Sequence, residues 1–240
     1  TTCVNLAASL AATKKQVLLI DLDPQGNATM GSGIDKNEVE YSIYDVLVHN
    51  MPIADVSVAA ETGGYDIVAS NSDVTAAEVE LLSIEGKEFR MRDALGIERV
   101  NYDYIVIDCP PSLGKLTLSV LIAAHGLLIP LQCEYYSLEG ISSITDLMEQ
   151  LRTSGVNKNL ELTGVLMTMF DSRTNLSRLV VSEVRKHFGD KVFRTVIPRA
   201  TRVAESPSHG KPILYYDPYS AGSAAYEGTS KELAKRLGLE

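Results

Sequence analysis

The sequence is poor in the features that mark membrane, secreted or metal-cluster proteins. Its 240 residues contain no apolar run of about eighteen and no charged-then-apolar leader, which predicts a soluble, cytoplasmic protein. Three cysteines, Cys3, Cys109 and Cys133, stand without CxxC spacing; this argues against a disulfide framework or zinc site and predicts buried or half-buried thiols. The four histidines, His49, His125, His187 and His209, share no metal spacing and no nucleophile context, and are read as structural or surface residues. Ser112 and Ser206 lie in proline-flanked turns rather than a GxSxG elbow, so serine hydrolysis has no support. No repeat, low-complexity tract or Pro/Gly linker divides the chain, and residues 1–240 are read as one domain.

What is present is concentrated at two strand ends. Residues 16–27 read QVLLIDLDPQGN, a continuous apolar run closing on two carboxylates two residues apart and then a Pro-Gln-Gly turn. Residues 102–108 form a second such run, ending in Asp108 and the tight turn CPPSLG. Strands buried on both faces that deliver acids to their carboxyl ends form the rim where α/β sheets bind ligands. Two of them make a magnesium-dependent nucleoside triphosphatase the leading idea.

Hydrophobic runs of strand length alternate with helical patterns, the signature of βα units. Strands are expected at 17–22, 65–69, 104–108, 126–131, 162–169 and 192–197; helices at 2–13, 74–95, 116–124, 138–153, 176–188 and 221–237. The fold class is therefore α/β: a three-layer, doubly wound, mainly parallel sheet with helices on both faces. The chain opens directly into a helix, TTCVNLAASLAA, where a phosphate-binding fold should first show a buried strand and a glycine-rich loop. Either the first strand and P-loop are missing from the sequence, with that strand expected beside the DLD strand, or the chain cannot bind nucleotide in the usual way.

Taken together, the segments NLAASLA, VLLIDLDPQGNAT, SIYDVL, DIVASNSDVTAAEVEL, YDYIVIDCPPSLG, LIPLQCEYYSLEGI, GVLMTMFDSRT and TVIPRATRVAESPSHGKPILYYDP resemble the ParA/Soj partition ATPases. These belong to the deviant Walker A group, which also holds MinD. The resemblance runs over essentially the whole chain and implies a P-loop NTPase-like fold, truncated before the P-loop lysine. It implies ATP and Mg2+ as cofactors, with hydrolysis as the activity. Asp23 matches the position that orients the attacking water, and Asp21 a carboxylate near the magnesium shell; strand alternation would put both on the cleft side. Asp108 resembles the Walker B acid that holds the metal. Cys109, Pro110, Pro111, Ser112 and Gly114 resemble switch II, which senses the γ-phosphate. Thr1 and Thr2 would lie at the phosphate end of the first helix, where capping its free amides is an equal alternative for Thr2. Pro198 and Arg199 resemble the segment beside the base. Glu134, Tyr135, Asp171 and Arg173 match segments near the nucleotide and the interface of an ATP-dependent homodimer.

Charge is unevenly spread. The net charge is −9, yet residues 173–211 hold nine Lys or Arg against three acids, +6, leaving −15 elsewhere. Such asymmetry marks a local anion-binding face or a chance cluster on a solvated helix. Arg199, Arg202, Arg178, Lys186 and Lys211 are the candidates for nonspecific DNA contact, a binding mode that needs only phosphate neutralisation. The resemblance implies a nucleoid-associated DNA-segregation ATPase, switched off by hydrolysis that a ParB-like partner stimulates. A non-catalytic DNA-binding or regulatory protein of the same fold is the alternative. A MinD-like membrane cycle is disfavoured because the end, TSKELAKRLGLE, has few apolar anchors.

Overall fold

The structure is a computed structural model and describes residues 1–98, 101–135 and 139–239. In chain order its elements are α1 (Thr2–Ala11), β1 (Val17–Asp21), α2 (Asn27–Gly31), α3 (Ile43–His49), α4 (Ile53–Val56), β2 (Val58–Ala60), β3 (Tyr65–Val68), α5 (Val74–Glu80), α6 (Arg90–Glu98), β4 (Tyr104–Asp108) and α7 (Lys115–Ala123). β5 (Gly126–Gln132), α8 (Glu139–Thr153), β6 (Glu161–Thr168), α9 (Asn175–Phe188), α10 (Thr201–Glu205), α11 (Ile213–Tyr216) and α12 (Ala221–Leu237) follow.

β1 is buried at every residue because it lies between two parallel partners, β3 and β4, and is covered on both faces. Its side chains alternate between two cores. Val17 and Leu19 pack with α1, α11 and α12; Leu18 and Ile20 pack with α3, α5, α6 and α7. That alternation makes the three layers, since successive strand residues point to opposite faces. A four-stranded sheet of order β2-β3-β1-β4 results, with β5 and β6 paired in parallel as a second sheet. Leu166 of β6 joins the α1–α12 core, so apolar packing runs across both sheets.

The expected elements mostly appear, with the short helices α2, α3, α4, α10 and α11 unforeseen and further differences in the strands and longer helices. Residues 192–197 form no strand: Val192 makes an isolated bridge to Val165 of β6, and a second bridge, Phe170↔Pro198, lies beyond the ends of both segments. The expected helix at 74–95 breaks into α5, two short 3-10 turns and α6, with Gly86 in the left-handed region between them. β2 was not foreseen; three residues are too few for a periodic signal, and the strand is held antiparallel to β3 through the turn at 61–64. The expected start of α8 at 138 lies outside the described residues.

The placement of a missing strand beside the DLD strand is corrected by the ladder. Both edges of β1 are occupied, by β3 and β4. Among the described residues the strands that pair on one side only include β2, β4 and β5, and the parallel ones are β4 and β5. Their apolar side chains Ile105, Val106, Ile107, Leu127, Leu128 and Ile129 are only half-buried.

Candidate functional site

Parallel pairing fixes the first relationship in the site. Asp21 and Asp108 are register partners at the carboxyl ends of β1 and β4, and Leu22 N–H donates to the Asp108 carbonyl at 2.8 Å. The start of α1 reaches the same rim, where the Cys3 thiol donates to Asp108 Oδ1 at 3.2 Å. Burial holds this thiol protonated, well above its ordinary range, and the Asp108 charge reinforces the effect. Burial likewise pushes Cys109 up to about 12, so neither cysteine is primed as a nucleophile.

Asp23 follows β1 in a turn, not on the strand. Its carbonyl accepts Gly26 N–H at 2.8 Å, and its Oδ1 accepts Gln25 N–H at 3.0 Å, an Asx-type closure. Gly26 is left-handed, at φ 61°, and a Cβ there would stand 2.9 Å from the Ser70 carbonyl, so the turn needs glycine on both counts. Asp23 remains half-buried and open to the rim.

Asp21 takes a different place from the one expected. It is fully buried; Oδ2 accepts the Thr29 amide at 2.8 Å and the Thr29 hydroxyl at 2.7 Å, while Oδ1 accepts Asp23 N–H at 3.2 Å. Burial raises its carboxyl to about 6, against the lowering pull of the Thr29 hydrogen bonds. With three protein donors and no exposed surface, it anchors the turn instead of sharing the cleft side with Asp23.

Magnesium prefers oxygen donors and keeps several waters, usually taking only one or two carboxylates. Among the described residues no group of three or more His, Cys, Asp or Glu is arranged to hold a metal. The half-buried Asp108 fits the single-carboxylate demand, and Asp21 does not. Switch II candidates 109–114 follow Asp108 directly; Thr117 Oγ1 caps the turn by donating to the Ser112 carbonyl at 2.7 Å, and Gly114 lies so near the Glu78 carboxylate that a Cβ would come within 2.7 Å of it.

Neither threonine at the start of α1 caps it through its side chain; Thr2 Oγ1 instead meets the Tyr226 hydroxyl at 3.4 Å. The capping alternative for Thr2 is thereby set aside. Pro198 bridges Phe170, and Arg199 N–H donates to the Phe170 carbonyl at 2.9 Å, placing that segment after β6. Arg199 also reaches Glu134 Oε1 at 3.2 Å, bringing a nucleotide candidate to an interface candidate. Asp171 is gripped by Arg173 through both carboxylate oxygens, and these hydrogen bonds pull its carboxyl down to about 2. Tyr135 is 67% exposed.

The DNA candidates are all exposed but are not equally free. Arg202 is held by Glu205 at 3.3 Å and Asp217 at 3.7 Å. Arg178 donates to the Ser172 carbonyl at 2.6 Å, and its guanidinium shares the outer side of α9 with Arg185 and Lys186. Lys211 lies apart, before α11.

Sequence reasoning missed Thr29, Ser70, Asn5 and Tyr226. Asn5 is buried, donating to the Thr1 carbonyl at 2.9 Å and accepting Ile213 N–H at 2.6 Å, which gives the asparagine of NLA its purpose. Its signal was a polar residue inside an otherwise apolar helical run.

The family model for an AAA domain matches residues 1–162. The chain is 48% identical to the sporulation initiation inhibitor protein Soj of Bacillus subtilis, over 98% of this chain and 92% of that one. It is also 48% identical to the chromosome partitioning protein ParA of Myxococcus xanthus, over 98% and 83%. Among solved structures, cobyrinic acid a,c-diamide synthase of Mycobacterium smegmatis, with bound ATP analog and magnesium, superposes at TM-score 0.85 with 32% identity over 99% of this chain and 89% of that one. The septum site-determining protein MinD of Pyrococcus horikoshii, complexed with Mg-ADP, superposes at TM-score 0.80 with 19% identity, covering 99% and 91%, a likeness of fold alone.

Proposed function

The chain belongs to the ParA/Soj family of partition ATPases, and from that premise we propose that it hydrolyses ATP with magnesium to drive DNA segregation. The observation that carries this reading is the meeting of Asp108, the Asp23 turn and the start of α1 at one rim of the parallel sheet. Phosphoryl transfer to water asks a protein for position and charge placement more than covalent chemistry. Asp23, half-buried on a closed turn, orients the attacking water. Asp108 would hold the metal, directly or through its water, and magnesium bound there would supply charge neutralisation to the triphosphate.

The switch reading extends from the same rim. Exposed Leu113, Tyr135, Met169 and Leu176 follow β4, β5 and β6 at the carboxyl side of the sheets, an apolar margin suited to a second copy of the chain over ATP. Glu134, Asp171 and Arg173 lie in the same loops. The dimer binds DNA nonspecifically through α9, and a ParB-like partner stimulates the hydrolysis that releases it to the cytoplasm from the nucleoid. Residues 1–240 act as one ATPase domain. Among the described residues no helix is long and apolar enough to cross a membrane.

The decisive experiment substitutes Asp23→Ala in the full-length protein. Hydrolysis should fall while ATP-dependent dimers and salt-sensitive DNA binding persist. Equal loss of all three would remove Asp23 from the hydrolytic role.

A further inference from the structure

We propose that Thr29 is a positioning residue for hydrolysis, setting the Asp23 turn through a buried relay that joins the ends of three elements. The inference rests on the reading of Asp23 as the water-orienting group. It also gives Asp21 a purpose that metal ligation does not.

The direction of each hydrogen bond is fixed by chemistry. Ser70 N–H can only donate, and it donates to Thr29 Oγ1 at 2.9 Å. The Thr29 hydroxyl therefore spends its single proton on Asp21 Oδ2, at 2.7 Å. Its own amide adds a second donor to that oxygen at 2.8 Å, and the remaining oxygen, Oδ1, receives Asp23 N–H at 3.2 Å. Ser70 follows β3, Asp21 ends β1 and Thr29 lies in α2, so one hydroxyl ties the turn at 23–26 to two neighbouring strands. Thr29 and Asp21 are both fully buried, which excludes water as a substitute partner.

Position in the turn is constrained twice more. Gly26 rests on the Ser70 carbonyl, and the β1–β4 ladder fixes Asp21 against Asp108. With strand ends fixed by their ladders, the relay determines where the Asp23 main chain sits relative to Asp108. A residue that merely filled space would need no hydroxyl. Thr29→Val preserves shape while stranding Ser70 N–H and leaving Asp21 Oδ2 with the residue-29 amide alone.

The test is steady-state ATP hydrolysis by the full-length protein carrying Thr29→Val, Thr29→Ser, Asp23→Ala, or Asp23→Ala with Thr29→Val. Thr29→Val should lower kcat by about tenfold to a hundredfold, the upper figure being the scale of a misplacement near one ångström, with KM for ATP little changed. Thr29→Ser should restore most of the rate. In the Asp23→Ala background, Thr29→Val should add little, because both changes act through one group. An unchanged kcat in Thr29→Val beside a depressed kcat in Asp23→Ala overturns this inference alone; so does a full further loss in the double variant. An unchanged kcat in Asp23→Ala overturns the reading of Asp23 instead. Should Thr29→Val fail to fold, hydrogen exchange in the unsubstituted protein decides: the Asp23 amide should be protected, and exchange as fast as an open turn overturns the relay.

Discussion

Asp21 and Asp108 face each other across the β1–β4 ladder, yet they live in different surroundings. Asp21 is sealed from solvent among three donors, whereas Asp108 is half-buried beside the start of α1. Two carboxylates placed as equals by pairing are thus separated into an anchor and an accessible acid.

The anchor has a pH signature. Burial raises the Asp21 carboxyl to about 6 in the native state, from an ordinary 3.8, so between these values the folded chain binds more protons than the unfolded one. Its stabilising contribution is complete below the lower value and is lost as pH rises through the upper one. A shift of about two units corresponds to about 3 kcal/mol. Asp21→Asn should flatten this part of the stability curve. Melting curves of both proteins in the nucleotide-free state, from about pH 4 to 7, check it; parallel slopes would refute it.

A second prediction concerns the end of α12. Arg236 lies over the Phe193 ring at 4.3 Å, bonds Glu232 at 2.9 Å and donates to the carbonyls of Thr163 and Val192. Glu232 in turn accepts the amides of Arg194 and Thr195. Arg236→Ala should cost about 1–3 kcal/mol in urea unfolding, because it takes one donor from a half-buried carboxylate and leaves two carbonyls short of donors. Arg236→Lys should not recover it, since an ammonium lacks the planar fork.

Gly210 and Gly33 approach each other so closely that a Cβ on Gly210 would stand 2.6 Å from Gly33 Cα, and Gly210 is left-handed at φ 60°. Gly210→Ala should therefore destabilise by about 1–3 kcal/mol, read as a lower urea midpoint at unchanged slope.

DNA binding should depend more on α9 than on α10. Arg178→Ala combined with Lys186→Ala is expected to reduce the slope of log affinity against log salt by about 0.9 per lost phosphate contact. Arg202→Ala should change it less, because Glu205 and Asp217 already hold that guanidinium. Titrations of the ATP-bound protein with duplex DNA at several salt concentrations separate the two.

How much was legible depended on how local each signal was. β1 and β4 could be read from their unbroken apolar runs, and the termination of both in acids pointed to the rim. β2 escaped because three residues cannot display a period, whereas 192–197, expected as a strand, shows only an isolated bridge to β6. The site was legible in its acids but not in their division of labour. Alternation assigned Asp21 and Asp23 to one side, whereas the strand ends at Asp21 and the next residues turn. Thr29 carried no signal at all, since its partners lie 8 and 41 residues away in sequence.

The bond from Ile213 to Asn5 and the meeting of Tyr226 with Thr2 carry a mechanical consequence. Helix α1 is strapped near its start by residues more than two hundred positions downstream, so a pull or push delivered there does not stay local. Any tightening of that helix around a bound anion would be felt at once in α11 and α12, making the tail of the chain a lever on its head.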